Sequence, residues 1–101
     1  MRKYEIMFVV KPDLEETNIS ATASSMKDVL TNHGAKIVDE KVMGQRELAY
    51  EINKNNTKYK TGYYFLYVIE ADEDAAIREF DRVAEINENI IRHLIVRVEE
   101  K

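Results

Sequence analysis

Cysteine and tryptophan are absent from this chain of 101 residues, which has only one proline, three glycines and two histidines. Without cysteine there can be no disulfide, no thiolate nucleophile and no zinc site that needs sulfur, a usage that fits a reducing cytoplasm. His33 and His93 alone cannot supply a His-rich metal cluster, so neither metal nor cofactor is expected. Gly34, Gly44 and Gly62 stand far apart, which excludes a glycine-rich phosphate or dinucleotide loop. No Ser/His/Asp set appears, and the chain reads as a non-enzyme without a small-molecule substrate. No apolar run approaches the ~18 residues of a membrane helix. The run behind Arg2 and Lys3 is cut off by Lys11-Pro12-Asp13, so no secretory leader and no membrane contact are expected.

What remains is an ordinary globular composition, 45% apolar and 34% charged, at the length of one domain; residues 1–101 are expected to share one core. The net charge is −4, from 15 basic and 19 acidic residues. A free-standing nucleic-acid binder usually has a basic balance. Distribution matters more than the sum, however. Acidic residues gather at 13–16, 70–74 and in the last residues, basic ones at 2–3 and 54–60, a separation that leaves a positive patch on an acidic body.

Periodicity supplies the elements. Tyr4 to Val10 alternates as a strand, with Tyr4, Ile6, Phe8 and Val10 on one face and Lys3, Glu5, Met7 and Val9 on the other. Asp13 and Glu16 resemble a capping box; Ile19, Ala23, Met26 and Leu30 recur at helical spacing, and Gly34 suits a left-handed C-terminus, which predicts a helix over 15–33. Lys36–Val42 reads as strand, Gly44 as a bulge, and Arg46, Leu48, Tyr50 and Ile52 alternate with Gln45, Glu47, Ala49 and Glu51 as the strand resumes. The polar stretch 53–58 reads as an extended hairpin loop, and Tyr59–Ile69 as the most β-prone strand. Asp72, Glu73 and Asp74 favour a helix start, the stripe Ala76, Ile77, Phe80, Val83 and Ala84 predicts a helix over 73–84, and Ile90–Val98 is the last strand.

The order β-α-β-β-α-β predicts an α+β, ferredoxin-like plait: a four-stranded antiparallel sheet with two helices on one face and the first and third strands central. Alternation then leaves Met7, Val9, Tyr64, Leu66, Val68, Leu94 and Val96 on the helix-free face. An open antiparallel face is normally polar, so a patch of this extent marks a partner surface. Candidate phosphate contacts are Arg2, Lys3, Arg46, Lys54, Lys58, Lys60, Arg92 and Arg97, with Tyr59 interleaved on the hairpin and His93 placed either to stack on a nucleotide or as a half-buried core residue. Lys60–Tyr67 partly matches the aromatic signature of RNA-recognition motifs, with Tyr64 where that signature has Gly or Ala.

Four blocks carry a family likeness: Met1-Arg2-Lys3-Tyr4-Glu5, Arg46-Glu47-Leu48-Ala49-Tyr50-Glu51-Ile52, Gly62-Tyr63-Tyr64 and Asn89-Ile90-Ile91-Arg92-His93-Leu94-Ile95-Val96. Together they resemble the bacterial ribosomal protein S-six family over essentially the whole chain, the Leu-Ala-Tyr block being the most specific. The resemblance implies a structural component of the small ribosomal subunit that binds the central domain of its ribosomal RNA as a heterodimer with the small basic protein S-eighteen. It places RNA contacts on Arg2, Lys3, Arg46, Lys54 and Arg92 with His93 adjacent, to which Lys58 is added from the hairpin charge. Glu47 stands where many members carry a second basic residue, and Glu51 where many carry proline. The competing reading is a small-molecule-binding regulatory module on the same plait, which needs glycine-rich turns after the first strand; Lys11-Pro12-Asp13-Leu14 does not supply them.

Overall fold

In the computed structural model, residues 2–54 and 56–98 are described. Met1 of the first likeness block, Asn55 of the polar stretch and the acidic end of the chain lie outside them. The elements are β1 (Arg2–Val10), α1 (Glu16–Asn32), β2 (Lys36–Lys54), β3 (Thr57–Ala71), α2 (Ala75–Ile86) and β4 (Ile90–Val98). The sheet order is β2-β3-β1-β4 with every neighbouring pair antiparallel, so the expected plait is the observed one. β1 is therefore a central strand, as expected, and Arg2 and Lys3 open a strand that is flanked on both sides.

The core forms because one face of β1 and β3 is uniformly apolar and meets the helical stripes. Tyr4, Ile6 and Phe8 stand opposite Ile69, Tyr67 and Phe65, and all six are buried. Phe8 is its centre, stacked on Phe65 with ring centroids 5.2 Å apart and edge-on to Tyr67 and Phe80. Met26 and Leu30 of α1 and Phe80 of α2 close it from above. Burying each side chain of this size contributes about 1.5–3 kcal/mol.

Local signals were followed to different degrees. Gly34 takes φ 90° after the α1 C-cap residue His33, the left-handed turn expected of it. At the other end the capping box does not form: Glu15 is the N-cap and makes no side-chain cap hydrogen bond. α2 starts at Ala75 rather than 73, and its N-cap Asp74 does not cap either, because its carboxylate accepts a hydrogen bond from Arg2 at 2.9 Å. Asn53, Lys54, Thr57 and Lys58 are strand rather than open loop: Asn53 pairs with Lys58 and Lys54 with Thr57, and Asn56 has φ 64°.

β2 carries three register shifts against β3. The one at Gly44, φ 79°, is the expected bulge. The one between Glu47 and Ile52 is larger. Glu47 pairs with Thr61 and Ile52 with Tyr59, so Leu48, Ala49, Tyr50 and Glu51 stand opposite a single residue of β3. The regular alternation read for Arg46–Ile52 is broken there.

Candidate nucleic-acid interface

Residues directly opposite in an antiparallel ladder share a face, so the register assigns the helix-free side of the sheet. Met7 lies between Leu66 and Leu94, Glu5 between Val68 and Val96, and Val9 between Tyr64 and Arg92. Met7, Tyr64 and Leu66 are half-buried there, and Leu94 and Val96 are 49% and 45% exposed. Met7, Tyr64, Leu66 and Leu94 therefore lie on the open face where the alternation placed them. Val9 must be removed from the expected partner surface. It faces the same way but is only 1% exposed, because the bulged stretch of β2 folds over it.

The covering is specific. Leu48, Ala49, Tyr50 and Ile52 roof a hollow of about 130 Å³ whose floor and sides are Met7, Val9, Tyr64, Arg92 and Leu94. Beneath the end of the β2–β3 hairpin, β3 passes very close to the Val9 side chain of β1. A Cβ at Gly62 would stand 2.3 Å from Val9 Cγ1 and 3.3 Å from the Val10 carbonyl oxygen. Only a residue without a side chain allows that approach.

Across the hollow, Arg92 of β4 donates a hydrogen bond to the Tyr50 hydroxyl and lies 5.4 Å from its ring centroid, within cation–π range. Tyr50 is nonetheless 61% exposed. Sequence reasoning missed it as a site residue, because strict alternation made it one of a row of strand side chains. The available signal was its place in the most specific block of the family likeness.

The candidate cations do not form one patch. Arg46, Lys54, Lys58 and Arg92 gather around the hairpin end of the sheet. Arg46 donates to the Met43 carbonyl at 3.2 Å, Lys54 reaches the Glu85 carbonyl at the end of α2 at 3.5 Å, and Lys58 lies 3.9 Å from Glu51. Arg2 and Lys3 are at the opposite end of β1, whose nine residues span roughly 26 Å. Lys3 faces the open side opposite Val98, whereas Arg2 faces the helices and pairs with Asp74. The Arg2 guanidinium is held above its ordinary pKa by its hydrogen bond with Tyr4 and the charge of Asp74. His93 is also turned away from Arg92. It stands opposite Phe8 on the helical side, edge-on to Phe80, its side chain 14% exposed and 2.7 Å from the Asp81 carboxylate. Of the alternatives left open for it, the structure shows the half-buried core histidine.

The open face nevertheless concentrates positive charge. The register puts Lys3, Lys36, Lys41, Arg46 and Arg92 on it against Glu5, Asp39 and Glu70. Lys36 and Lys41 were not singled out from the sequence, where Lys36 stands alone between Ala35 and Ile37 and Lys41 follows Asp39 and Glu40. The chain carries −4 in all, so this side is positive on a negative body. An apolar strip flanked by cations can bind an apolar protein surface and phosphate side by side. Among the described residues no group of three His, Asp or Glu converges as a metal site, and no helix is long and apolar enough to cross a membrane.

Comparison with known proteins agrees with this architecture. The model of the ribosomal protein S6 family matches residues 3–97. The solved 30S ribosomal protein S6 from Thermotoga maritima superposes with a TM-score of 0.87, at 26% identity over 96% of this chain and 87% of that chain. A chain assigned as an amidohydrolase/peptidase from Burkholderia cenocepacia matches at 16% identity over 97% of this chain and 27% of that chain, with a TM-score of 0.37, too low to argue from.

Proposed function

The chain belongs to the ribosomal protein S6 family, structural proteins of the small ribosomal subunit, and from that premise we propose that it binds the central domain of small-subunit ribosomal RNA jointly with the basic protein S-eighteen. The observation that carries the reading is the open sheet face. Leu94 and Val96 form an exposed apolar strip, framed by five cations on a chain whose total charge is −4. In this reading Met7, Tyr64, Leu66 and Leu94 meet the partner protein. Arg46, Lys54, Lys58 and Arg92 meet phosphates at the hairpin end, and Lys3, with Arg2 behind it, meets them at the other. The work is scaffolding, and no step of chemistry is assigned to the protein.

Charge explains why two proteins are needed. Each phosphate contact contributes roughly 0.7–0.9 to the slope of log affinity against log salt, and few contacts are within reach of one face. An acidic body approaching RNA repels it elsewhere. A basic partner docked on the apolar strip covers that strip and supplies the missing positive charge. The test is RNA binding by fluorescence anisotropy at one fixed salt concentration, with and without the partner. Weak binding alone and a steep rise with the partner is the expected outcome; equal affinity in both arms would refute joint binding.

A further inference from the structure

We infer that Tyr50, backed by Arg92, is a stacking platform for one unpaired base of the bound RNA; the inference rests on the RNA-binding reading above. Three observations lead to it. First, the four residues Leu48–Glu51 leave the regular ladder to stand opposite one residue of β3, and a bulge of this kind re-aims a side chain. The side chain re-aimed here is Tyr50, carried from the edge strand β2 across the open face to β4. Second, Arg92 holds the Tyr50 hydroxyl and lies 5.4 Å from the ring centroid, while the residue as a whole stays 61% exposed. A large aromatic side chain, fixed in place and left open, is what a splayed-out base needs, and stacking accepts any base because each has a π-face. Third, the group holding the ring is a cation on the positive side of the molecule. Arg92 therefore steadies the ring and attracts the phosphate that accompanies the stacked base. A partner's apolar side chain is the less suitable occupant, because it gains nothing from the neighbouring guanidinium.

The experiment uses the full chain, its small basic partner and a central-domain RNA fragment, with 2-aminopurine placed in turn at unpaired positions. Tyr50→Leu is expected to weaken RNA binding by roughly 5- to 150-fold with an unchanged salt slope, and to abolish the fluorescence quenching of one 2-aminopurine. Tyr50→Phe keeps the ring but loses the hydroxyl that Arg92 holds, and is expected to keep the quenching with an affinity between those of Tyr50→Leu and wild type, which guards against a general folding defect. Wild-type affinity and quenching in Tyr50→Leu would overturn the inference while leaving RNA binding intact. An equal loss in affinity for the partner protein measured without RNA would reassign Tyr50 to the protein interface and overturn it too. Failure of the wild-type complex to bind the RNA would overturn the functional reading itself, and the inference with it.

Discussion

Replacing Gly62 by alanine tests the close approach on which the hairpin's position depends. In a strand interior, glycine to alanine ordinarily stabilises by about 0.5–1 kcal/mol, because the unfolded chain loses freedom. Here the added Cβ would stand 2.3 Å from Val9 Cγ1, 3.3 Å from the Val10 carbonyl oxygen and 3.4 Å from Ile91 Cδ1. Val9 is 1% exposed, so its methyl can yield only by leaving its rotamer for the hollow under Leu48–Ile52, and the Val10 carbonyl oxygen cannot yield without moving β1. Overpacking of this kind costs about 1–3 kcal/mol, here the upper part of that range, about 2–3, because backbone is crowded too, which leaves a net loss of about 1–2.5 kcal/mol after the entropic gain. At this chain length that lowers the melting temperature by roughly 4–20 °C. The decisive measurement is a double-mutant cycle in urea. Val9→Ala removes the clashing methyl, so Gly62→Ala should become neutral or stabilising in that background, with a coupling of about 1–2 kcal/mol. If Gly62→Ala costs the same with and without Val9, or nothing in either case, the close approach does not hold the hairpin down.

Other outcomes follow from the same geometry. The Tyr67 hydroxyl donates to the Ala23 carbonyl at 3.1 Å, and burial, with the nearby Glu40 charge, pushes its pKa up to about 12 from about 10. The folded state therefore holds this proton more tightly than the unfolded one. Stability from this group is full below pH 10 and is lost as the pH rises towards 12, by about 1–2 kcal/mol. That is less than a full two-unit shift would give, since Tyr67 lines a hollow open to solvent with Ser20, Lys27 and Glu40. Tyr67→Phe should abolish this alkaline loss, as read from urea midpoints at pH 9 to 12; parallel curves would refute it. Arg92→Ala should reduce the salt slope of RNA binding by about one as well as the affinity, and an unchanged slope would remove Arg92 from the phosphate contacts. Leu94→Asp should weaken partner binding at least tenfold by calorimetry while changing stability by less than about 0.5 kcal/mol, since Leu94 is half exposed.

The fold was legible where a signal repeats along the chain. The period-two pattern of Tyr4–Val10 and Tyr59–Ile69 identified the two central strands and their buried faces, and Gly34 and Gly44 marked turns that need positive φ. The site was only partly legible. Leu94 and Val96 follow from alternation, and the same alternation puts His93 on the opposite face, so its separation from Arg92 was already written in β4. Two other features were not readable in this way. Asp74 looks like a helix cap until Arg2, distant in sequence, takes its carboxylate. The excursion of Leu48–Glu51 is invisible to a pattern that assumes constant pairing, because the close crossing that permits it is set by Gly62 and Val9 together.

The central position of β1 also governs when the molecule can finish forming during its own synthesis. Lys3 is paired with Val98, so one flank of β1 stays unzipped until β4 has been translated. Until then the nascent chain can assemble β1, β2 and β3 with a helix over them, but it presents a bare central strand to its surroundings. Arg92 and Leu94 arrive with that closing strand. A truncated product therefore loses the seam of the sheet and the binding face in the same stroke.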